Sequence, residues 1–203
     1  MMAAAITIRS ALPVRATVAA KTRYTLYRAD LRRDFFQACG YCGDSDERID
    51  RIGFHIDHFA PKALFPDLAL VYENLVYACR FCNVGKSDHW VGTDPAVPNN
   101  GKEGFVDPCT ADYEQHFERL ADGRIVGRSP IGIYAVKRLR LHLLRHELLW
   151  NARRMRAVRD DADALITALE QEGKGDTSEA LDLLKHFREL TKSIEDYEFR
   201  ANN

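Results

Sequence analysis

Two cysteine pairs constrain this chain more than any other feature of its sequence. They are Cys39-Gly-Tyr-Cys42 and Cys79-Arg-Phe-Cys82, separated by 36 residues. Each CxxC turn presents two thiolates to one ion, and two such turns complete the tetrahedral ligand set of a structural Zn²⁺. Because four thiolates leave no open position for water or substrate, we expect the zinc to stabilise the fold and other residues to carry any chemistry.

Composition and cysteine usage favour a cytoplasmic globular protein. The hydrophobic fraction is 46% and the charged fraction 29%, as in ordinary globular domains. No apolar run approaches the roughly 18 residues of a membrane span. Arg9 interrupts the N-terminal segment before a signal-type apolar core can form. We therefore expect no membrane partner, and we interpret the fifth cysteine, Cys109, as a bystander thiol.

The distribution of charge, unlike the net charge of −1, favours a nucleic-acid partner. Residues 1–38 hold seven Lys or Arg against two Asp or Glu, and residues 130–160 hold eight against two. Residues 161–203 are acidic, with eleven acidic side chains against five basic ones. Basic segments on both sides of a candidate module favour a polyanionic substrate, although solvated helix faces carry similar charge. In the second basic segment we expect Arg138 and Arg145 to contact nucleic acid.

Hydrophobic periodicity and turn residues predict an α+β fold in four segments. These are a flexible arm at residues 1–22, a zinc-stapled module at 23–92, a connector with a hairpin at 93–129 and a helical region at 130–203. Within the module we predict a helix over 23–38 and a strand over 53–59. The Ala-Asp-Gly turn at 121–123 predicts the hairpin. Apolar spacing then predicts one long or broken helix over 131–169 and another over 177–199, packed as an antiparallel pair.

Three polar stretches lie between the cysteine pairs or close the second pair. They read His55-Ile-Asp57-His58-Phe-Ala-Pro61-Lys62, then Tyr72-Glu-Asn74-Leu75, then Cys82-Asn83-Val-Gly-Lys86. In this order they resemble the HNH endonuclease family, and the resemblance is clear over about residues 31–90. Each stretch alone would be a weak signal. The resemblance implies a ββα-metal module, here with an N-terminal helix and a C-terminal helical pair.

The chemical requirements of phosphodiester hydrolysis suggest a role for several of these side chains. His58, with an ordinary pKa of about 6.5, is the natural base for activating water. Asp57 and Asn83 offer hard oxygen ligands for a catalytic Mg²⁺ or Mn²⁺. The middle residue of the family motif pins a loop, so the resemblance implies this role for Asn74. Lys86 follows Asn83 by one helical turn and is expected to face the phosphate, unless it is a solvated lysine.

Strand geometry raises one difficulty for this assignment. Strict alternation places Asp57 and His58 on opposite faces of a strand, whereas both should approach one metal ion. A bulge, or a strand that ends at His58, would resolve the conflict. His55 lies on the same face as Asp57 and is the reserve candidate for either role. We also expect Lys62 and Arg80, which stand beside these residues, to contact nucleic acid.

The resemblance implies a one-metal hydrolysis of DNA that leaves 5′-phosphate and 3′-hydroxyl ends. Asn83 occupies the last motif position, where the family name specifies histidine, and this favours Mg²⁺ or Mn²⁺. An RNA-targeting nuclease or toxin, and a zinc module that binds nucleic acid without cutting it, are the alternatives. The resemblance points to bacterial phage defence. The apolar stripes of the C-terminal helices suit a homodimer, a protein partner or an intramolecular pair.

Overall fold

The computed structural model describes residues 6–47 and 53–202 of the chain. The chain divides into two compact units, Met1–Leu143 and Leu144–Asn203. Helices and short antiparallel strands make up the described secondary structure, as expected of an α+β protein. Of the helices in the described ranges, none is long and apolar enough to cross a membrane.

The segment predicted as a flexible arm is only partly described. Residues 1–5 lie outside the described residues. Residues 6–22 form no helix, but the side chains of Ile8 and Arg9 are buried. The guanidinium of Arg9 donates to the carboxylate of Glu114 over 2.7 Å. Residues 6–22 therefore pack against the rest of the first unit.

A two-stranded antiparallel sheet and the helix that follows it form the centre of the first unit. β1 spans Phe54–His58 and β2 spans Leu75–Cys79, with Phe54 opposite Cys79. The helix α2, Arg80–Lys86, begins directly after β2 and contacts both strands. All five side chains of β2 are buried, because β1, α2 and the helix α1, Arg28–Asp34, all pack against this strand. The predicted strand is thus observed as β1.

The helix predicted over residues 23–38 is shorter than expected. A 3-10 turn, Tyr24–Tyr27, leads into α1, Arg28–Asp34. Phe36 and Gln37 follow with positive φ angles of 53° and 61°. This left-handed backbone ends the helix before the first cysteine pair, as left-handed residues commonly do at helix C-termini.

The predicted hairpin is confirmed and leads into a third helix. β3, Phe117–Arg119, pairs with β4, Ile125–Gly127, in an antiparallel arrangement. α3, Pro130–Arg138, begins after Ser129, whose hydroxyl oxygen accepts from the backbone N–H of Gly132 over 3.0 Å. A proline at the first helical position and a serine N-cap are standard helix-start signals.

The second unit is a helical hairpin. α4 spans Leu144–Gln171 and α5 spans Ser178–Asn202. The two helices pack against each other, and Arg156 of α4 forms an ion pair with Glu198 of α5. The predicted antiparallel pair is therefore present. The helix predicted over residues 131–169 is broken into α3 and α4. The backbone turns between them at Arg140, which has a φ of 57°.

Candidate active site and zinc site

The four cysteines of the two CxxC pairs converge in the interior of the first unit. Their sulfur atoms all lie within 4.8 Å of one another, and Sγ of Cys42 lies 3.8 Å from Sγ of Cys79. The backbone N–H of Gly40 donates to the carbonyl of Tyr77 over 2.8 Å, which fastens the first pair to β2. Gly43 turns the chain out of this pair with a φ of 74°.

This cysteine cluster fits one tetrahedral Zn²⁺. Zinc–sulfur bonds of about 2.3 Å imply sulfur–sulfur separations of about 3.8 Å in a tetrahedron. Burial raises the pKa of the Cys42 and Cys82 thiols, and a bound cation would favour the thiolate form of both. The four sulfur atoms are therefore close enough together to hold one such ion.

An open cleft of about 720 Å³ lies beside β1, α2 and the start of α1. Four of the residues predicted for chemistry or nucleic-acid contact line it, namely Asp57, His58, Lys62 and Asn83. His55, the reserve candidate, and Arg28 also line it. The fold therefore gathers side chains from three sequence stretches into one solvent-accessible pocket.

The imidazole of His58 is held in its neutral form. Its Nε2 lies 3.0 Å from the carbonyl oxygen of Ala69, and a carbonyl can only accept, so the proton is on Nε2 and Nδ1 carries the lone pair. Burial, assisted by the charges of Lys62 and Lys86, lowers the pKa of His58 despite the opposing hydrogen bond to Ala69. The ring also meets Tyr24 edge-on, with centroids 4.8 Å apart.

Asp57 and His58 are neighbours on a strand, and the structure shows how both nevertheless reach one cleft. β1 ends at His58, and the next backbone N–H, that of Phe59, donates to the carbonyl of Asn74. His58 thus lies at the last strand position rather than in a bulge. Asp57 and His58 line the same cleft.

Asn74 pins the loop that follows β1. Its Oδ1 accepts from the backbone N–H of Ala60 over 2.8 Å, and its Nδ2 donates to the carbonyl of Ala60 over 2.9 Å. A second carbonyl, that of Leu68, lies 3.3 Å from the same Nδ2. Since Asn74 is buried, these bonds hold the loop from inside the protein.

Asp57 is buried and held by two donors. Its Oδ2 accepts from the hydroxyl of Tyr41 over 2.6 Å and lies 3.3 Å from Nζ of Lys86. Burial raises the pKa of Asp57, while Lys86 and the Tyr41 hydrogen bond oppose this increase. Both donors contact the same oxygen, so Oδ1 is the atom available to a ligand in the cleft.

Lys86 is placed differently from the sequence expectation. We expected it to face the substrate phosphate or solvent, but its side chain is fully buried. Its ammonium donates to the carbonyl of His58 over 2.9 Å and pairs with Asp57. Lys86 is buried whereas Asn83, one helical turn earlier on α2, is partly exposed. Lys86 therefore contacts the proposed catalytic residues rather than the solvent-filled cleft.

Asn83 and His55 contact each other at the wall of the cleft. Nδ2 of Asn83 lies 2.9 Å from Nδ1 of His55, and both residues are partly exposed. The sequence held His55 only in reserve, although strand alternation already placed it on the same face as Asp57. His55 is therefore a further candidate functional residue.

The cleft fits a cation that is bound through few protein atoms. Among the described residues, no three His, Cys, Asp or Glu ligand atoms in the cleft lie close enough together to form a protein cage. Mg²⁺ commonly binds through one or two carboxylates and completes its shell with water and substrate phosphate. Asp57 and Asn83 match this pattern because each offers a hard oxygen at the cleft.

The basic residues predicted to contact nucleic acid separate into two groups. Lys62, Arg80 and Arg138 are exposed, and Arg138 donates to Nε2 of His89 over 3.0 Å. Arg145, in contrast, is only 6% exposed, so its guanidinium is not presented to a substrate in this structure.

A further basic residue at the cleft was not singled out from the sequence. Arg28 is exposed and lines the cleft. The excess of basic residues over positions 1–38 was the signal that could have identified it, but that count does not say which side chain reaches the site.

Comparison with known proteins identifies the segment that carries this site. Residues 39–89 match the family model for HNH endonuclease. The chain is also 32% identical over 68 residues to protein ea31 of Escherichia phage lambda, a match that covers 34% of this chain and about a fifth, 21%, of the phage protein. No solved structure matches the chain at a significant level. The segment that contains both cysteine pairs, β1 and α2 is therefore the part of the chain that is similar to HNH endonucleases.

Proposed function

We propose that this chain is a divalent-metal-dependent endonuclease that hydrolyses phosphodiester bonds of DNA. The observation that carries the proposal is the meeting of His58, Asp57 and Asn83 on the walls of one open cleft, within a segment of the HNH family. Lys62 and Arg28 add positive charge at the same cleft, which favours a phosphate backbone as ligand.

In the proposed reaction, His58 accepts a proton from the attacking water. Nδ1 is the accepting atom, because Nε2 already donates to Ala69. The lowered pKa keeps the imidazole neutral and ready to accept at neutral pH. Attack of the water oxygen on phosphorus breaks the bond to the 3′ oxygen, which takes a proton from solvent. The products are a 5′-phosphate and a 3′-hydroxyl.

Asp57 and Asn83 are the residues that would hold the divalent cation, which we propose is Mg²⁺ or Mn²⁺. Oδ1 of Asp57 is available because Tyr41 and Lys86 engage Oδ2. When bound, the cation supplies positive charge next to the phosphate and the leaving oxygen. Asn74 acts at a distance from the substrate by holding the loop after His58 through Ala60.

The exposed basic residues would bind the substrate without reading its sequence. Lys62, Arg80 and Arg138 are exposed on the first unit, and contacts from such side chains to phosphates depend strongly on salt. We therefore propose weak sequence specificity.

The biological setting that we propose is bacterial phage defence, in the cytoplasm. The resemblance to HNH proteins supports the role in phage defence. The four buried cysteines support the cytoplasmic location, because zinc thiolates persist where thiols stay reduced. Fewer plaques on cells that express the wild type, and normal plaque numbers with the His58→Ala variant, would support this setting.

The test uses purified, zinc-loaded full-length protein and plasmid DNA with or without added Mg²⁺. We expect Mg²⁺-dependent cutting, and a loss of about 10²-fold to 10⁴-fold in kcat for His58→Ala. Zinc content and DNA affinity should stay at wild-type values in this variant. His186→Ala is the matched control, because His186 is exposed on α5 in the second unit.

Two other results would replace the proposal. Cutting of RNA but not of DNA would identify an RNA nuclease or toxin. Binding of either nucleic acid without cleavage, under any divalent cation, would identify a non-catalytic zinc module.

A further inference from the structure

We infer that Lys86 and Tyr41 are positioning residues that connect the zinc site to the catalytic end of β1. This inference rests on the proposed function, because it concerns how His58 and Asp57 are held for catalysis. Tyr41 lies inside the first cysteine pair, and Lys86 lies on the helix that contains Cys82. Each therefore belongs to a segment whose position the zinc site determines.

The burial of Lys86 is the first observation behind this inference. Lysine is rarely fully buried unless its ammonium is paired, yet the Lys86 side chain has no exposed surface. Its hydrogen bond to the carbonyl of His58 and its ion pair with Asp57 compensate for the lost hydration. Both partners are residues of the proposed catalytic site. A side chain enclosed in this way does not reach a substrate phosphate.

Tyr41 provides the second, independent connection. Its side chain is fully buried, and its hydroxyl donates to Oδ2 of Asp57 over 2.6 Å. Its own backbone carbonyl accepts from the hydroxyl of Tyr113 over 2.9 Å. The ring therefore extends from an anchored backbone between Cys39 and Cys42 to the carboxylate at the cleft.

Together the two residues determine the position of the base and the orientation of the carboxylate. The ammonium of Lys86 holds the peptide carbonyl of His58 at the point where β1 ends. Two donors on Oδ2 keep Oδ1 of Asp57 toward the cleft. A displacement of about 1 Å in a reacting group is enough to lower a rate about 10²-fold. Loss of either donor should therefore slow the chemical step without weakening substrate binding.

The experiment compares three variants of the full-length, zinc-loaded protein. Lys86→Met removes the ammonium and keeps the volume, Tyr41→Phe removes only the hydroxyl, and Lys62→Met removes an exposed lysine at the cleft. For each, kcat, KM and the salt dependence of DNA binding are measured. We expect kcat to fall about 10²-fold in Lys86→Met and about 10-fold in Tyr41→Phe, with KM and the salt slope unchanged. Lys62→Met should instead raise KM and lower the salt slope.

The results that would overturn the inference are distinct from a failure to cut. A raised KM and a lower salt slope in Lys86→Met, with kcat intact, would make Lys86 a phosphate ligand. Wild-type kcat in both Lys86→Met and Tyr41→Phe would exclude a positioning role. If Lys86→Met does not fold, Tyr41→Phe decides by the same criterion.

A readout that does not depend on catalysis separates this inference from the proposed function. If the wild type cuts no nucleic acid, the proposed function fails. The inference is then decided by the NMR signals of the His58 ring, which should shift or broaden in Lys86→Met and Tyr41→Phe. The ring signals of His186, on α5, serve as the internal reference. Unchanged His58 signals would overturn the inference.

Discussion

The side-chain amide of Asn83 donates to Nδ1 of His55 over 2.9 Å and joins α2 to β1 at the cleft. An amide nitrogen can only donate, so this Nδ1 is unprotonated and the imidazole is neutral. Burial, with the charges of Arg28 and Arg80, lowers the pKa of His55 and favours that form. The hydrogen bond orients the Asn83 amide and leaves Oδ1 for a cation.

Replacement of His55 should therefore weaken divalent-cation binding. In His55→Leu the amide of Asn83 loses its orienting partner, and we expect Mn²⁺ affinity to fall about 10-fold, as for residues that orient metal ligands. The measurement is Mn²⁺ titration of the zinc-loaded protein followed by electron paramagnetic resonance. His186→Leu is the control. An unchanged Mn²⁺ affinity in His55→Leu would separate His55 from the cation site.

Loss of one zinc ligand should unfold the first unit. Cys42→Ser removes a buried ligand, and structural zinc contributes about 10 kcal/mol to the folding of small domains. We expect the zinc content to fall from one ion per chain to none, with loss of the thermal transition of this unit.

Cys109 provides the control for the zinc prediction. It lies outside the cluster, and burial raises the pKa of its thiol to about 12, so it stays protonated at neutral pH. Cys109→Ser should keep one zinc per chain in elemental analysis. Zinc loss in this variant would contradict the four-cysteine assignment.

The two hydrogen bonds between Asn74 and Ala60 predict a cost in both stability and rate. Asn74→Ala leaves the buried N–H and carbonyl of Ala60 without these partners, which we expect to cost about 3 kcal/mol in the free energy of unfolding. Because the loop follows His58 directly, kcat should also fall. Urea denaturation and a plasmid assay measure the two effects. Asn202→Ala, at an exposed position, should change neither.

Gly85 is required by the contact between α2 and α3. A Cβ at this position would lie 2.5 Å from the carbonyl oxygen of Arg138. Gly85→Ala should therefore destabilise the protein by about 2 kcal/mol, although alanine is the better helix former by about 1 kcal/mol. Gly53→Ala is the control, since a Cβ there meets nothing within 4 Å. Higher thermal stability of Gly85→Ala would mean that helix propensity dominates.

Asp34 should contribute stability that depends on pH. Burial alone would raise its pKa, but the N–H of Ala16, the hydroxyl of Tyr72 and the guanidinium of Arg33 donate to it and lower the pKa. Because the folded-state pKa lies below the unfolded one, the stabilisation is complete above the ordinary aspartate pKa of about 4 and is lost as the pH falls through the folded-state value.

The Asp34→Asn variant tests this pH dependence. At pH 7 we expect it to be less stable than the wild type by about 2 kcal/mol, as for a hydrogen bond to a charged group. The difference should shrink below about pH 4, where the Asp34 carboxylate of the unfolded chain takes up a proton before that of the folded protein does. Thermal unfolding of both proteins across this range gives the measurement. A difference that is constant with pH would contradict the assignment.

The parts of the site that were predictable from the sequence depend on local spacing. Two CxxC turns indicate their metal whatever surrounds them, because each turn sets two ligands side by side. Likewise, the Asp57-His58 pair and Asn83 could be placed next to each other through their resemblance to one family. The strand at residues 53–59 was predicted from its residue composition and the helical pair from its periodicity, and both signals are local to the chain.

The partners of individual side chains were decided only by the tertiary structure. The sequence by itself predicted four zinc ligands and a candidate catalytic set, but it left Lys86 at the phosphate and His55 in reserve. Packing of α2 against β1 buries Lys86 beside Asp57 and brings Asn83 to His55. These contacts join residues that lie 28 or 29 positions apart, and no helical or strand period relates such positions. Only the folded chain, with its two cysteine pairs brought together, sets these distances.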